Sequence, residues 1–330
     1  MSVEKSYRII LFIVIILSLS SCNMKDNTNE TQVTKWDNTK YADWDSSVGL
    51  DVYNSNSFDE INGDLYKANS VLYITNINEP ITLKFNNNGK DRNFALTAYY
   101  DYKQIPFRIS ETGEYSEIYK FDLEDSYEIE IPFYLPNDLE TNGDHKLLIS
   151  FSIGHDFHAK DLETLSDWYG MSMVYDLTFD QKESFDDFHF RSPYSFEEPQ
   201  HIIDNLHTLT LNTDYNFDII SSDNAKTDNL LTVKKGTPFD LVYNAASPLR
   251  VDNIALIVTF GYKQTSVDGQ DYKLINIPSG KTGVGTIKLT APDETGLYEV
   301  IALSAYNPLG KKGTAEKVRS SVRFTLNVTE

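Results

Sequence analysis

Apolar and polar residues alternate with a period of two along most of the chain. Ile81, Leu83 and Phe85 share one face of such a run, as do Phe94, Leu96, Ala98 and Tyr100, and then Tyr127, Ile129, Ile131 and Phe133. Successive side chains of a strand point to opposite faces, so this alternation predicts half-buried β-strands. Residues 71–74, 117–121, 146–153 and 171–179 complete a first set of about seven. Turn formers such as Asn86-Asn-Asn-Gly89, Glu111-Thr-Gly113 and Thr141-Asn-Gly-Asp144 separate them. A second set occupies 230–233, 239–244, 254–262, 272–277, 284–289, 298–305 and 318–328. Helical periodicity is confined to one weak patch at 160–168, which favours β-sandwiches over an α/β fold.

The two sets are copies. Pro80-Ile-Thr-Leu-Lys-Phe-Asn86, then Ala95-Leu96 and Tyr100-Asp-Tyr-Lys-Gln104, return in order as Pro238-Phe-Asp-Leu-Val-Tyr-Asn244, Ala255-Leu256 and Phe260-Gly-Tyr-Lys-Gln264. An ordered match about 160 positions apart predicts two tandem domains of one fold. A chain of 330 residues accommodates two such cores. The 21 Tyr and 18 Phe suit pleated, half-buried surfaces.

The start of the chain is different. Lys5 and Arg8 precede an apolar run, 9–17, that is too short to span a bilayer comfortably. Leu19-Ser20-Ser21-Cys22 follows, and Cys22 is the only cysteine, which excludes an intramolecular disulfide. These four residues resemble the lipobox of bacterial lipoproteins. The resemblance implies cleavage before Cys22, diacylglyceryl modification of its thiol, and a lipid-anchored, extracytoplasmic address. The expected organisation is a signal peptide at 1–21, a flexible tether at 22–47, sandwiches at 48–180 and 206–330, and a linker at 181–205. Trp36 and Trp44 are expected to dock on the first domain rather than bind a ligand. A net charge of −20 excludes nucleic acid as a natural partner, since phosphate contacts need clustered Lys and Arg.

In the second copy, Ala291-Pro-Asp-Glu-Thr-Gly296-Leu-Tyr298-Glu-Val300 resembles the turn into strand F of immunoglobulin-like domains, in which a glycine makes the turn and a corner tyrosine bonds back to upstream backbone. The resemblance gives Gly296 and Tyr298 structural roles, with Val300 in place of the antibody cysteine. His145 holds the position of Tyr298 in the first copy and is expected to be a structural hydrogen-bonder.

Candidate chemistry is sparse. His155, Asp156 and His158 put two imidazoles and a carboxylate within four residues, the ligand types of a zinc-like site; a closed site needs a fourth ligand, for which only Asp161 or Glu163 lies nearby, and no metal or other cofactor is expected. The same loop, ending at Trp168 and Tyr169, is the longest insertion relative to the repeat and is a candidate recognition loop. Lys311 and Lys312 mark the equivalent loop of the second copy, either a solvated hairpin or a contact for an acidic polymer. Residues 268–271 offer a weak calcium site or plain surface acidity. Phe185, Phe188, Phe190, Tyr194 and Phe196 in the linker are expected at the interdomain seam or on an edge strand, with an exposed partner patch as the alternative. No nucleophile elbow or catalytic cysteine is present. The sequence therefore predicts an all-β, non-enzymatic surface lipoprotein with tandem immunoglobulin-like domains, binding a protein or glycan. The alternatives are a structural partner of an envelope or secretion complex, or a metal-binding lipoprotein using His155 and His158.

Overall fold

The alternating segments pair into sheets because each has one apolar face to bury against another. The computed structural model describes residues 31–35, 47–54, 71–161, 171–179, 190–204, 218–221, 230–247, 252–310, 318–321 and 323–330. The first half contains β1 (Gln32–Lys35), β2 (Ser47–Tyr53), β3 (Val71–Tyr73), β4 (Ile81–Asn88), β5 (Arg92–Tyr100), β6 (Lys103–Gln104), β7 (Tyr119–Leu123), β8 (Tyr127–Phe133), β9 (Asp144–Ile153) and β10 (Met171–Thr178). One sheet has the order β1-β8-β4-β2; the other runs β3-β10-β9-β5-β6, with β7 also paired to β5. Their inner faces meet in a core of aliphatic and aromatic side chains, at whose centre Phe85 lies 4.4 Å from Phe151 and 4.6 Å, edge-on, from Phe94.

The second half repeats this order. Its strands are β11 (His201–Asp204), β12 (Asp218–Ser221), β13 (Leu230–Lys234), β14 (Pro238–Ala246), β15 (Asn253–Phe260), β16 (Lys263–Thr265), β17 (Lys273–Asn276), β18 (Lys281–Thr290), β19 (Gly296–Tyr306), β20 (Val318–Ser320) and β21 (Phe324–Thr329). The sheets are β11-β18-β14-β12 and β13-β21-β19-β15-β16, with β17 on β15 and β20 on β19. In each half the short strand that follows the first sheet's outer strand runs parallel to the last strand, β3 to β10 and β13 to β21. All other strand pairs are antiparallel, and two facing sheets with this strand order are the immunoglobulin-like arrangement. The chain is all-β, as expected.

Two parts of the expected organisation need correction. Gln32–Lys35 falls in the supposed tether, yet β1 pairs with β8 in the first sandwich. His201–Asp204 falls in the supposed linker, yet β11 pairs with β18 in the second. Both strands are exposed at every residue, so neither carries the apolar alternation by which the others were legible. Of the helical patch, Ala159–Asp161 forms one 3-10 turn; 162–170 lies outside the described residues, as do Trp36, Trp44, Phe185 and Phe188.

A third apolar cluster joins the sandwiches. Ala95, Tyr99, Tyr102, Leu148 and Val174 of the first half pack with Ala255, Ile257, Tyr262, Leu303 and their neighbours of the second. These are the outer faces of β5 and β15 and the strands beside them, which explains why both strands are apolar on successive residues. Phe190 is buried in the same cluster, with Tyr194 and Phe196 packed against it. The linker aromatics among the described residues therefore fill the seam.

The repeated Tyr-Lys-Gln motif is the centre of this seam. Two-residue turns, Asp101-Tyr102 and Gly261-Tyr262, close the β5–β6 and β15–β16 hairpins, all four residues having positive φ between 52° and 70° as a type I′ turn requires. Each turn delivers a glutamine to the other sandwich. Gln104 N–H donates to Gln264 Oε1 and Gln264 N–H to Gln104 Oε1, both at 2.5 Å. Gln104 Nε2 donates to the Tyr262 carbonyl and Gln264 Nε2 to the Tyr102 carbonyl, both at 2.9 Å. The pairing is an internal twofold. The lysines follow it at the rim, Lys103 reaching Asp271 at 3.3 Å and Lys263 reaching Glu117 at 3.7 Å. These exposed pairs add little stability.

Gln104→Ala or Gln264→Ala is expected to cost about 1–3 kcal/mol in urea denaturation, because each leaves seam backbone groups unpaired. A double-mutant cycle is expected to give a coupling of about 0.5–3 kcal/mol, and additive losses would contradict the reciprocal geometry. Burial raises the Tyr99, Tyr262 and Tyr272 phenols from 10.0 to about 12. The folded state thus keeps protons that the unfolded chain releases, and stability present below pH 10 is lost as pH rises towards about 12. Absorbance titration at alkaline pH should show these tyrosines ionising together with unfolding.

Candidate binding cleft

An open cleft of about 430 Å³ lies at one end of the first sandwich, where the β4–β5 turn, the end of β7 and the loop after β9 converge. Asn87 holds the first two together. Fully buried at the end of β4, it places Nδ2 2.7 Å from the Lys90 carbonyl and 3.0 Å from those of Leu123 and Glu124. Its Oδ1 accepts from Arg92, whose Nη1 also donates to the Asn88 and Lys90 carbonyls at 3.1 and 3.3 Å. Gly89, with φ of 103°, makes the turn and donates its N–H to Asp125 Oδ1 at 2.6 Å.

The third wall is the start of the loop singled out from sequence. Gly154 N–H donates to the Asn93 carbonyl at 2.8 Å, and Asn93 Nδ2 donates to Asp156 Oδ2 at 3.0 Å. Ile153 and Leu123 are buried lining residues; Phe157 is 46% exposed beside them. Lys90, Asp91, Arg92, Asn93, Asp122 and Glu124 supply the polar lining.

The same loop is bolted to the second sandwich from behind. Arg323, 4% exposed, donates to the carbonyls of Ile153 at 2.6 Å, Gly154 at 3.2 Å and Phe157 at 2.9 Å, and through Nε to Glu299 Oε2 at 3.2 Å. Glu299, 3% exposed, accepts from Thr325 Oγ1 at 2.7 Å and from the Ala159 N–H at 3.2 Å, with His158 Nδ1 at 3.1 Å from its Oε1. Register shows the reciprocal arrangement: Val300 opposes Phe260 as Leu147 opposes Tyr100, so Lys146 is the counterpart of Glu299. Lys146, fully buried, bonds Asp176 at 2.6 Å and donates to the Gly310 carbonyl of the second sandwich at 3.1 Å. Each loop that follows the β9 or β19 strand thus caps a buried charge of the other sandwich, with an acid in one and a base in the other.

The sequence-singled residues divide accordingly. His155 Nδ1 lies 2.5 Å from its neighbour Asp156, whereas His158 faces Glu299 across the seam. Among the described residues no group of three His, Cys, Asp or Glu is placed to hold a metal. Asp268 is taken by the Lys288 N–H at 2.7 Å and by Lys273 at 2.5 Å, and Asp271 by Lys103. Tyr298 Oη donates to the Glu294 carbonyl at 3.0 Å, four residues upstream, and Gly296 has φ of 155°. His145 Nδ1 lies 2.8 Å from Asp101 Oδ2, and its ring stacks on Tyr100 at 4.7 Å. Cys22, Trp168, Tyr169, Lys311 and Lys312 lie outside the described residues. Sequence reading missed Arg92, Asn93, Asp122, Phe157, Glu299 and Arg323. Each reads as one more polar or aromatic residue on a strand or loop, and only the fold brings them together.

No family model matches the chain. No curated protein sequence matches it either. Among solved structures it is similar to a CARDB domain from Pyrococcus furiosus in complex with di-metal ions, at 12% identity and a TM-score of 0.23, over 46% of this chain and 100% of that one. It is also similar to the C-terminal domain of the AgI/II polypeptide BspA from Streptococcus agalactiae, at 10% identity and a TM-score of 0.24, over 85% of this chain and 100% of that one. Likeness at this level carries no argument about function.

Arg323→Ala is expected to cost about 3–5 kcal/mol by chemical denaturation, since it strands buried Glu299 and three carbonyls. Arg323→Lys should restore little of that loss, because an ammonium cannot reproduce the planar fork. A loss below about 1 kcal/mol would contradict the role given to Arg323.

Proposed function

We propose that this chain is a non-catalytic binding module, anchored by acylated Cys22 to the extracytoplasmic face of a membrane and presenting two welded sandwiches to a protein or glycan. The observation that carries the reading is the use made of buried charge. Buried Lys146, Glu299 and Arg323 each bond across the seam, with Asp176 holding Lys146, while the accessible cleft is lined by exposed side chains of both signs. Catalytic sites draw on titratable groups tuned towards the working pH. Among the described residues the large shifts are those of tyrosines, driven by burial away from it. The leader and its single cysteine support the address, and the acidic surface supports a domain that stands off anionic headgroups.

A second reading, partnership in an envelope complex, is favoured by one feature. Strand β11 exposes Ile202 at 46% and Ile203 at 52%, and among the described residues its outer edge pairs with no strand; such an edge is a template for a strand from another chain.

Radiolabelled palmitate should enter the wild-type chain but not Cys22→Ala, and the variant should leave the membrane fraction; label or membrane retention in the variant would remove the anchor. The soluble domains should capture a specific envelope component from extract. Failure to capture any component would count against a binding module.

A further inference from the structure

We infer that the cleft between the β4–β5 turn, β7 and the loop after β9 is a subsite for a neutral saccharide. This rests on the binding-module reading and gives it a ligand class. The volume of about 430 Å³ lies in the range of small-molecule sites, roughly 300–1,000 Å³. Two basic residues, Lys90 and Arg92, and three acidic ones, Asp91, Asp122 and Glu124, share the lining. An anion meets the carboxylates and a cation meets Lys90 and Arg92, so neither sign is favoured. Hydroxyl groups, each both donor and acceptor, suit such a mixed lining.

Two further features agree. Asn93 and Asp122 are direct cross-strand partners on β5 and β7, which sets their side chains side by side on one face of the sheet. The orientation of the Asn93 amide at this wall is set by its bond to Asp156. Phe157, 46% exposed at the same wall, offers an apolar face to the C–H groups of a sugar ring. Arg323 holds the carbonyl of Phe157 from the second sandwich, so the platform is rigid only in the two-domain chain.

The test is calorimetric titration of the full mature chain with cellotetraose, maltotetraose and chitotriose, alongside hexalysine and hexaglutamate peptides. At least one neutral saccharide is expected to bind. Phe157→Ala and Asp122→Ala, both exposed positions, should each weaken it by about tenfold or more. Tyr115→Ala, an exposed aromatic outside the cleft, should leave binding unchanged, and melting temperatures should confirm that all three variants fold. The inference is overturned if no saccharide binds, if both cleft variants bind like wild type, or if a charged peptide binds in place of the sugars. Should an envelope component be captured equally by wild type and both variants while no saccharide binds, the saccharide subsite falls and the binding-module reading stands.

Discussion

The structure depends on a reciprocal exchange at the seam. Gln104 and Gln264 each satisfy backbone and side-chain groups of the other sandwich, and every bond of one has its twin in the other. Such bonds are worth little against water and much more inside an apolar surround. Here that surround is the third hydrophobic cluster, which buries the outer faces of β5 and β15. Tandem domains ordinarily meet through modest, polar interfaces that permit motion. This pair has instead a core between its cores.

The charged groups refine the twofold rather than follow it. At equivalent positions, Lys146 donates to a carbonyl of the opposite sandwich and Glu299 accepts a backbone N–H from it. A lysine and a glutamate thus hold one register position, Lys146 paired to Asp176 and Glu299 to Arg323 within their own sandwiches, and each is capped by backbone of the other. The consequence reaches the cleft, since Glu299 and Arg323 of the second sandwich hold the backbone on which Phe157 is carried.

How much of this was legible in the sequence follows from which forces leave a periodic trace. One-sided burial writes an alternation, so β4, β5, β8 and their repeats were readable, as was the internal duplication. The exposed strands β1 and β11 wrote none. The Tyr-Lys-Gln motif was visible as a repeat, but its purpose was not, because a glutamine on a hairpin reads as solvent-facing until the partner hairpin is known. The loop around His155 was found by length and histidine content. Its use differs from either signal: His158 turns inward to Glu299 and Phe157 turns outward to the cleft. Arg92, Asn93 and Asp122 belong to separate turns and strands, and their convergence is a property of the sheet register alone.

The most direct test of the welded pair is differential scanning calorimetry of the mature chain. A shared seam core predicts one cooperative transition in which both sandwiches unfold together, with calorimetric and van't Hoff enthalpies in agreement. Two resolved transitions, each with the enthalpy of a single sandwich, would show that the domains fold independently and that the seam does not hold them as one body.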